Sequence, residues 1–425
     1  MRKRGFLHDS LAESSYSSCH FRKSRPIRTT FASASLVNVV HPSYTMRALA
    51  SRLLTAAGIL KLAAAAVFPE PQTPFQVTWE SLELTDLDRP DPYNETHPRR
   101  LMISKFSPIP RPACSETCRV PYISETAASI QDDLLDFFLD FVSKGETRWP
   151  KGVFVETEME VCCEVNKDPN SDGHAGGKFP TVLFGSGFNI SRLFYSGTAQ
   201  HLAGMGYEVI VMDHPYESNV IEFPDGTIIL GGRPDPASNE SLEFALDVRA
   251  ADASFVLDTL GLTGADTVVH IGHSFGGAAA AVAMAADDRI AGGVNLDGSL
   301  FGSVLSEGAA RPFLVLGSVG HNSSVDMSWD EFINSTRSRG TWVKELGLEE
   351  SLHWSLHDFS IFADVAGLRD NEDLVALFFG AILGSRVMEI LREYLSDFVE
   401  FALGSGDEGL LKGPSERFSE VNFLQ

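Results

Sequence analysis

The stretch VVHIGHSFGGAAAA, residues 268–281, decides how the rest of the chain is read. An apolar run ends in Gly272-His273-Ser274-Phe275-Gly276, and an alanine-rich segment follows at once. The pattern G-x-S-x-G arises often by chance. In this setting it describes a buried strand turning sharply into a helix, the geometry that lifts a serine hydroxyl above a sheet. Gly272 and Gly276 relieve crowding where strand and helix pack around such a turn, and Ala278 to Ala281 let the helix sit tightly on the sheet. Ser274 is therefore the candidate nucleophile.

On both sides of this turn the chain alternates short apolar runs with amphipathic segments. Strands are expected at 153–161, 180–184, 207–213, 267–272, 292–298 and 312–318, with one more at 341–348. Helices are expected at 192–204, 239–260, 275–286, 328–337 and 373–403. This alternation predicts a single α/β domain, its mostly parallel sheet covered by helices on both faces. Residues 69–130 are rich in Pro and polar residues and read as an extended arm. QDDLLDFFLDFV (131–142) places Leu134, Leu135, Phe138, Phe141 and Val142 on one helical face, expected to pack on the body. A transient lipid-surface contact is the other reading, and the acids Asp132, Asp133, Asp136 and Asp140 argue against anionic membranes.

The chain has 425 residues, 44% of them hydrophobic and 21% charged, the balance of a soluble globular protein. Its charge is lopsided. Residues 1–68 carry ten Lys/Arg against Asp9 and Glu13, leaving 24 bases and 55 acids in the remainder. A body that acidic repels phosphate backbones, so nucleic acid is not expected as a partner. Residues 1–45 are Arg- and Ser-rich, as organelle transit peptides are, and form an extension outside the expected mature protein. From Met46 the chain runs MRALASRLLTAAGILKLAAAAVFPEP, and 46–68 reads as a signal peptide. Five Asn-x-Ser/Thr sequons, at Asn94, Asn189, Asn239, Asn322 and Asn334, favour secretion. Cys114, Cys118, Cys162 and Cys163 permit two disulfides, with the adjacent pair bonding separately to Cys114 and Cys118. Zinc is disfavoured by the spacing, and no metal is expected. The mature protein is expected over 69–425, with an amino-terminal arm (69–150) and a carboxy-terminal helical segment (371–425).

A serine nucleophile needs a base, and the base an orienting acid. In chain order the acid and then the histidine follow the serine. Only His321, His353 and His357 come after Ser274. His321 directly follows strand 312–318, whereas His353 and His357 share the loop SLHWSLHDFS after the last strand, where the base belongs. Spacing does not separate those two. Among the acids, Asp297 ends the strand GGVNLDG on the same side as Ser274; Asp326 and Asp330 lead into a helix, which Asp330 could cap. The position of Asp297 makes it the candidate acid. Oxyanion stabilisation is expected from the amide of Phe275 and from Phe188, in the loop GSGF after strand 180–184.

With these residues assembled, the chain resembles the platelet-activating-factor acetylhydrolase family of secreted and lipoprotein-type α/β-hydrolases, especially its fungal-type esterase relatives. The resemblance is carried by PTVLFGSGFNISRLFYSGTAQHLAGMGYEVIVMDHPY, VIEFPDGT, DVRAADASFVLDTL, IGHSFGGAAAA, GGVNLDGSLFG, RPFLVLGS and HDFSIFAD, spanning about residues 150–365. It implies the α/β-hydrolase fold and a calcium-independent, cofactor-free serine esterase. The implied substrate is a small-molecule ester or phospholipid with a short acyl chain at the second position. The family's base precedes a Phe-containing segment, so the resemblance points to His357 rather than His353. It also points to Asp297 as the acid and to Phe188 and Phe275 as amide donors. The four-cysteine arm and the carboxy-terminal segment depart from the mammalian pattern. Two alternatives stand beside this reading: a secreted carboxylesterase or cutinase-like hydrolase of other esters, and a non-catalytic α/β-hydrolase serving as a binding module.

Overall fold

The computed structural model describes residues 66–69, 72–143, 145, 148–166, 179–264 and 267–424. The basic extension 1–45, and the signal-like segment 46–68 apart from its last three residues, lie outside the described residues.

The amino-terminal part holds β1 (Ala66–Val67), β2 (Phe75–Asp91), β3 (Asn94–Pro110), β4 (Cys114–Pro121), α1 (Glu125–Ser143) and β5 (Thr157–Val165). The alternating part follows as β6 (Thr181–Gly185), α2 (Ser196–Met205), β7 (Glu208–Met212), β8 (Val220–Glu222), β9 (Ile228–Leu230) and α3 (Asn239–Thr259). It continues as β10 (Val268–His273), α4 (Phe275–Ala286), β11 (Ile290–Leu296), α5 (Val304–Glu307), β12 (Phe313–Gly317), α6 (Met327–Ser338) and β13 (Val343–Leu348). The chain ends with α7 (Phe359–Val365), α8 (Glu372–Leu374), α9 (Gly384–Ala402) and β14 (Val421–Phe423).

Nine strands form one sheet in the order β14-β13-β12-β11-β10-β6-β7-β3-β2. The six from β13 to β7 are parallel, and the pairs at both edges are antiparallel. The parallel strands are continuous apolar runs because both faces are covered. Val182, Phe184, Val269, Ile271, Val294 and Leu296 point into one core, with Leu202, Phe362 and Leu391 from α2, α7 and α9. Their neighbours Leu183, Val268 and Val315 point into the other, with Leu246, Met284 and Phe332 from α3, α4 and α6. This is the α/β-hydrolase arrangement, with the expected strands of the main sheet displaced by a few residues at most. The strand expected at 153–161 is instead β5, which lies in a separate three-stranded sheet between β1 and β4 and runs antiparallel to β4.

Three expectations are corrected. Residues 69–130 are not an extended arm: β2 and β3 make a long hairpin, registered Leu84 to Leu101, that joins the sheet through Ile103 and Met212. As the edge strand, β2 leaves much of its length half-buried or exposed, so its alternation is too weak to read. Secondly, α1 is rotated from the expected face. Leu135 and Leu139 are buried, but so is Asp132, which accepts hydrogen bonds from Trp149 Nε1 (3.0 Å) and Gly152 N (2.7 Å). Leu134 and Phe137 face outward. Finally, 373–403 is not one helix: the turn Val375–Phe379 and Gly380, at φ +64°, interrupt it before α9. Of the two permitted disulfides, Cys114–Cys162 is formed and ties β4 to β5, while Cys118 and Cys163 are thiols.

Candidate active site

Ser274 lies between β10 and α4 with φ +56° and ψ −126°, a conformation costly for a residue with a Cβ. Packing enforces it. A Cβ on Gly272 would lie 2.0 Å from the Gly276 carbonyl oxygen, and one on Gly276 would lie 2.2 Å from that of Gly185. Only glycines let β6, β10 and α4 approach this closely. Hydrogen bonds from Ser274 N to Leu296 O (2.7 Å) and from Gly277 N to Ser274 O (2.9 Å) pin the turn on both sides.

The second bond also orients an amide. In a planar trans peptide the C=O and N–H point in opposite directions, so holding Ser274 C=O towards Gly277 aims the Phe275 N–H the other way. The loop after β6 uses the same device. Arg249, from α3 and 1% exposed, donates to Ser186 O (2.6 Å) and Gly187 O (3.3 Å). That turns the Phe188 N–H away from the guanidinium. Arg249 also pairs with buried Glu217 and lies 4.9 Å from the centre of the Phe275 ring, which meets Phe188 edge-on. One arginine thus braces both expected amide donors.

Asp297 caps the carboxyl end of β11 at φ +62°. Its oxygens accept from Ser318 N (2.6 Å), Ser318 Oγ (3.0 Å), His321 Nδ1 (2.9 Å) and His353 Nδ1 (2.6 Å). Burial would raise this carboxyl, but the hydrogen bonds from His321 and His353 hold it well below the usual carboxylate range. The histidine on Asp297 in the carboxy-terminal loop is therefore His353, not His357. His353 is 42% exposed at its side chain, and its backbone carbonyl receives His273 Nε2 (3.0 Å), which seats it beside the Ser274 turn.

His357 points the other way, into the protein, 1% exposed among Tyr195, Trp354 and Phe359. Its Nδ1 accepts from Phe359 N (3.1 Å), so the proton of the neutral ring sits on Nε2, which finds no partner among the described residues. Burial, reinforced by His273 and His353, pushes its basicity well below that of an ordinary histidine. A ring that neither reaches an acid nor accepts a proton cannot serve as the base, which corrects the expectation for His357.

Three residues that sequence reasoning passed over complete the arrangement. Arg249 lies in DVRAAD, and Tyr195 ends SRLFY. His273 is inside the motif itself. Gly187 N donates to Tyr195 Oη (2.8 Å), Tyr195 Oη meets His273 Nδ1 (2.9 Å), and His273 Nε2 donates to His353 O (3.0 Å). A carbonyl only accepts, so His273 carries its proton on Nε2 and takes the tyrosine hydroxyl at Nδ1. Burial lowers His273 to about 3, which keeps it neutral in this role. Only the tyrosine's spacing to the oxyanion loop hinted at this; the pairings span 78 and 80 residues. A cavity of about 410 Å³ lined by Val319, Leu352, Arg369 and Val375 opens near His353, but none of the nucleophile or amide residues lines it.

Comparison with known proteins bears on the family and the fold. Residues 142–226 match the family described as platelet-activating factor acetylhydrolase, isoform II. Over 369 residues the chain is 37% identical to a probable 1-alkyl-2-acetylglycerophosphocholine esterase of Arthroderma benhamiae, covering 84% of this chain and 94% of that relative. The solved structure of a ferulic acid esterase from Streptomyces cinnamoneus is similar with a TM-score of 0.68 and 24% identity, covering 85% of this chain and all of the other. That likeness bears on the fold. The chain is an ester hydrolase and belongs to the platelet-activating factor acetylhydrolase family.

Proposed function

We propose that the chain releases a short acyl group from the second position of a phospholipid of the 1-alkyl-2-acetylglycerophosphocholine type, with Ser274, His353 and Asp297 as nucleophile, base and orienting acid. The observation that carries the site reading is the 2.6 Å contact between His353 Nδ1 and Asp297, beside the strained turn at Ser274. The name of the Arthroderma relative supports the substrate.

The steps follow from the groups present. Ser274 Oγ attacks the ester carbonyl while His353 Nε2 takes its proton, and Asp297 stabilises the imidazolium that forms. Negative charge gathers on the former carbonyl oxygen, where the Phe188 and Phe275 amides meet it. Collapse expels the lyso-phospholipid alcohol, which leaves with the proton from His353. Water, deprotonated by the same nitrogen, then cleaves the acyl enzyme and releases a carboxylic acid and free Ser274.

A transient contact with lipid fits the surroundings. Phe138 of α1 stacks on Trp354, next to His353, and the same helix exposes Leu134 and Phe137. Secretion is supported by the Cys114–Cys162 disulfide and by exposed sequon residues Asn239 and Asn334.

The test pairs a 2-acetyl ether phospholipid with a short-chain nitrophenyl ester, and includes a fluorophosphonate probe. Turnover of both substrates, with labelling at Ser274, is expected. Activity on the nitrophenyl ester alone defeats the phospholipid assignment, and failure of Ser274 to label defeats the nucleophile assignment.

A further inference from the structure

We propose that His321 is held as an imidazolium between Asp297 and Asp326, and that this cation tunes the Asp297–His353 pair so that His353 works as a base further into the acid range. The proposal rests on the reading of Ser274, His353 and Asp297 given above.

The protonation follows from hydrogen-bond geometry. His321 Nδ1 lies 2.9 Å from Asp297 Oδ1, and Nε2 lies 3.0 Å from Asp326 Oδ2. An imidazole ring donates from both nitrogens only when it is charged. The alternative, a protonated carboxyl donating to a neutral ring, is opposed by the other partners. Asp326 already accepts from Ser299 Oγ (2.6 Å), Ser328 N (2.9 Å) and Ser328 Oγ (2.6 Å). Asp297 accepts from Ser318 N, Ser318 Oγ and His353. Both carboxylates are surrounded by donors, which favours their ionised form. Burial opposes charge on His321, but its hydrogen bonds to the two carboxylates raise it to about 9.

Packing holds the cation in place. The His321 ring stacks on Trp329 of α6 with centroids 4.2 Å apart, an arrangement that favours positive charge. Trp329 Nε1 donates to Gly298 O (2.6 Å), which fixes that platform to the strand end carrying Asp297. The charged and titratable groups around the site are Asp297 at the end of β11, Asp326 at the start of α6, and Glu345 of β13, which receives Ser323 N (2.8 Å). His353 lies across Asp297, and neutral His273 lies 4.6 Å from His353 between ring centres.

The consequence is electrostatic. Asp297 offers Oδ2 to His353 and Oδ1 to His321. A full positive charge on Oδ1 offsets part of the field that the carboxylate exerts at His353, and so opposes uptake of a proton by the free base. Asp326 supplies the countercharge that keeps His321 protonated. His321 is thus a positioning residue: it touches Asp297 and Asp326, and acts on His353 through Asp297.

The test is the pH dependence of kcat/KM on a nitrophenyl butyrate ester, from about pH 4 to about pH 9. His321→Gln is expected to move the acid limb to higher pH by about one unit, the usual effect of losing one adjacent charge. Activity at acid pH then falls about tenfold while the plateau changes only a few-fold. Asp326→Asn should move the limb in the same direction by less. An acid limb unmoved in His321→Gln, or moved to lower pH, overturns the proposal.

Should His321→Gln fail to fold, ring nitrogen NMR of the native protein and of Asp326→Asn decides, with His321 identified by its response to the second substitution. Retention of both ring protons through neutral pH supports the proposal, and an ordinary titration near 6.5 defeats it. Persistent activity of Ser274→Ala or His353→Ala would instead indict the catalytic reading, leaving the protonation of His321 to be judged by NMR alone.

Discussion

The turn that carries Ser274 and the loop that carries His353 meet at the carboxyl end of the sheet, yet they are held by different means. The turn is built mainly from its own neighbours, β10 before it and α4 after it, with glycines at 272 and 276 that nothing larger could replace, although Gly185 of β6 and Leu296 of β11 also press on it. The loop from His353 to Asp358 is held from far away. Ser355 Oγ donates to Phe379 O (2.7 Å), and Asp358 accepts from Tyr122 Oη (2.6 Å), Gly197 N (2.6 Å) and Thr198 Oγ1 (2.8 Å). Local sterics leave a signature in a dozen consecutive letters. Long-range anchoring does not, and two histidines four residues apart end up facing opposite ways.

The sharpest way to break that contrast is to exchange the fates of the two histidines. His353→Ala is expected to lower kcat/KM by about 10⁴-fold or more, as Ser274→Ala should, because members of such a group act as a unit. His357→Phe keeps a ring among Trp354, Tyr195 and Phe359 and should retain activity within about tenfold. Its cost falls on stability, about 1–3 kcal/mol, from the Phe359 N–H left without its acceptor. Steady-state kinetics beside thermal unfolding separates these outcomes. An inactive but folded His357→Phe with an active His353→Ala would mean that the loop turns over in solution and that its anchoring has been misjudged.

Legibility in the sequence follows the same divide. The parallel strands, α3, α4 and α6 could be read because buried runs and amphipathic periods are local properties. So could the placement of Ser274, Asp297 and the loops of Phe188 and Phe275 at the ends of strands. The β2–β3 hairpin was hidden by its exposed edge strand, and the buried face of α1 was misplaced because Asp132 is buried by partners 17 and 20 residues away. His353 could not be told from His357 because the choice depends on which side of the loop faces Asp297. Arg249 and His321 show no pattern of their own; each is defined by partners brought together only by folding.

Arg249 offers a second, smaller test, since it reaches across the divide from α3 to the oxyanion loop. Arg249→Lys keeps the charge beside Glu217 but lacks the planar fork that spans Glu217, Ser186 O and Gly187 O. Loss of one oxyanion donor costs about 10²–10³ in rate, so loosening the aim of the Phe188 amide should cost about tenfold to a hundredfold in kcat. KM should change little, because the amide matters most in the transition state. A rise in KM at constant kcat would instead place Arg249 in substrate binding.

The smallest expected effect tests whether the two regions are independent at all. Tyr195 and His273 form a hydrogen-bonded path that runs from the Gly187 amide to the His353 carbonyl. Tyr195→Phe removes the hydroxyl that receives Gly187 and serves His273, yet leaves the ring packed in the core. A loss of a few-fold in kcat is expected, with a loss of about tenfold for His273→Gln. If the path transmits position, the double variant should lose less than the product of the two, with a coupling of about 0.5–1 kcal/mol, within the range found for residues sharing a network. Strict additivity would mean that Tyr195 braces only the oxyanion loop and His273 only the base. The turn and the loop would then be neighbours placed by the same sheet, each held in place without the other.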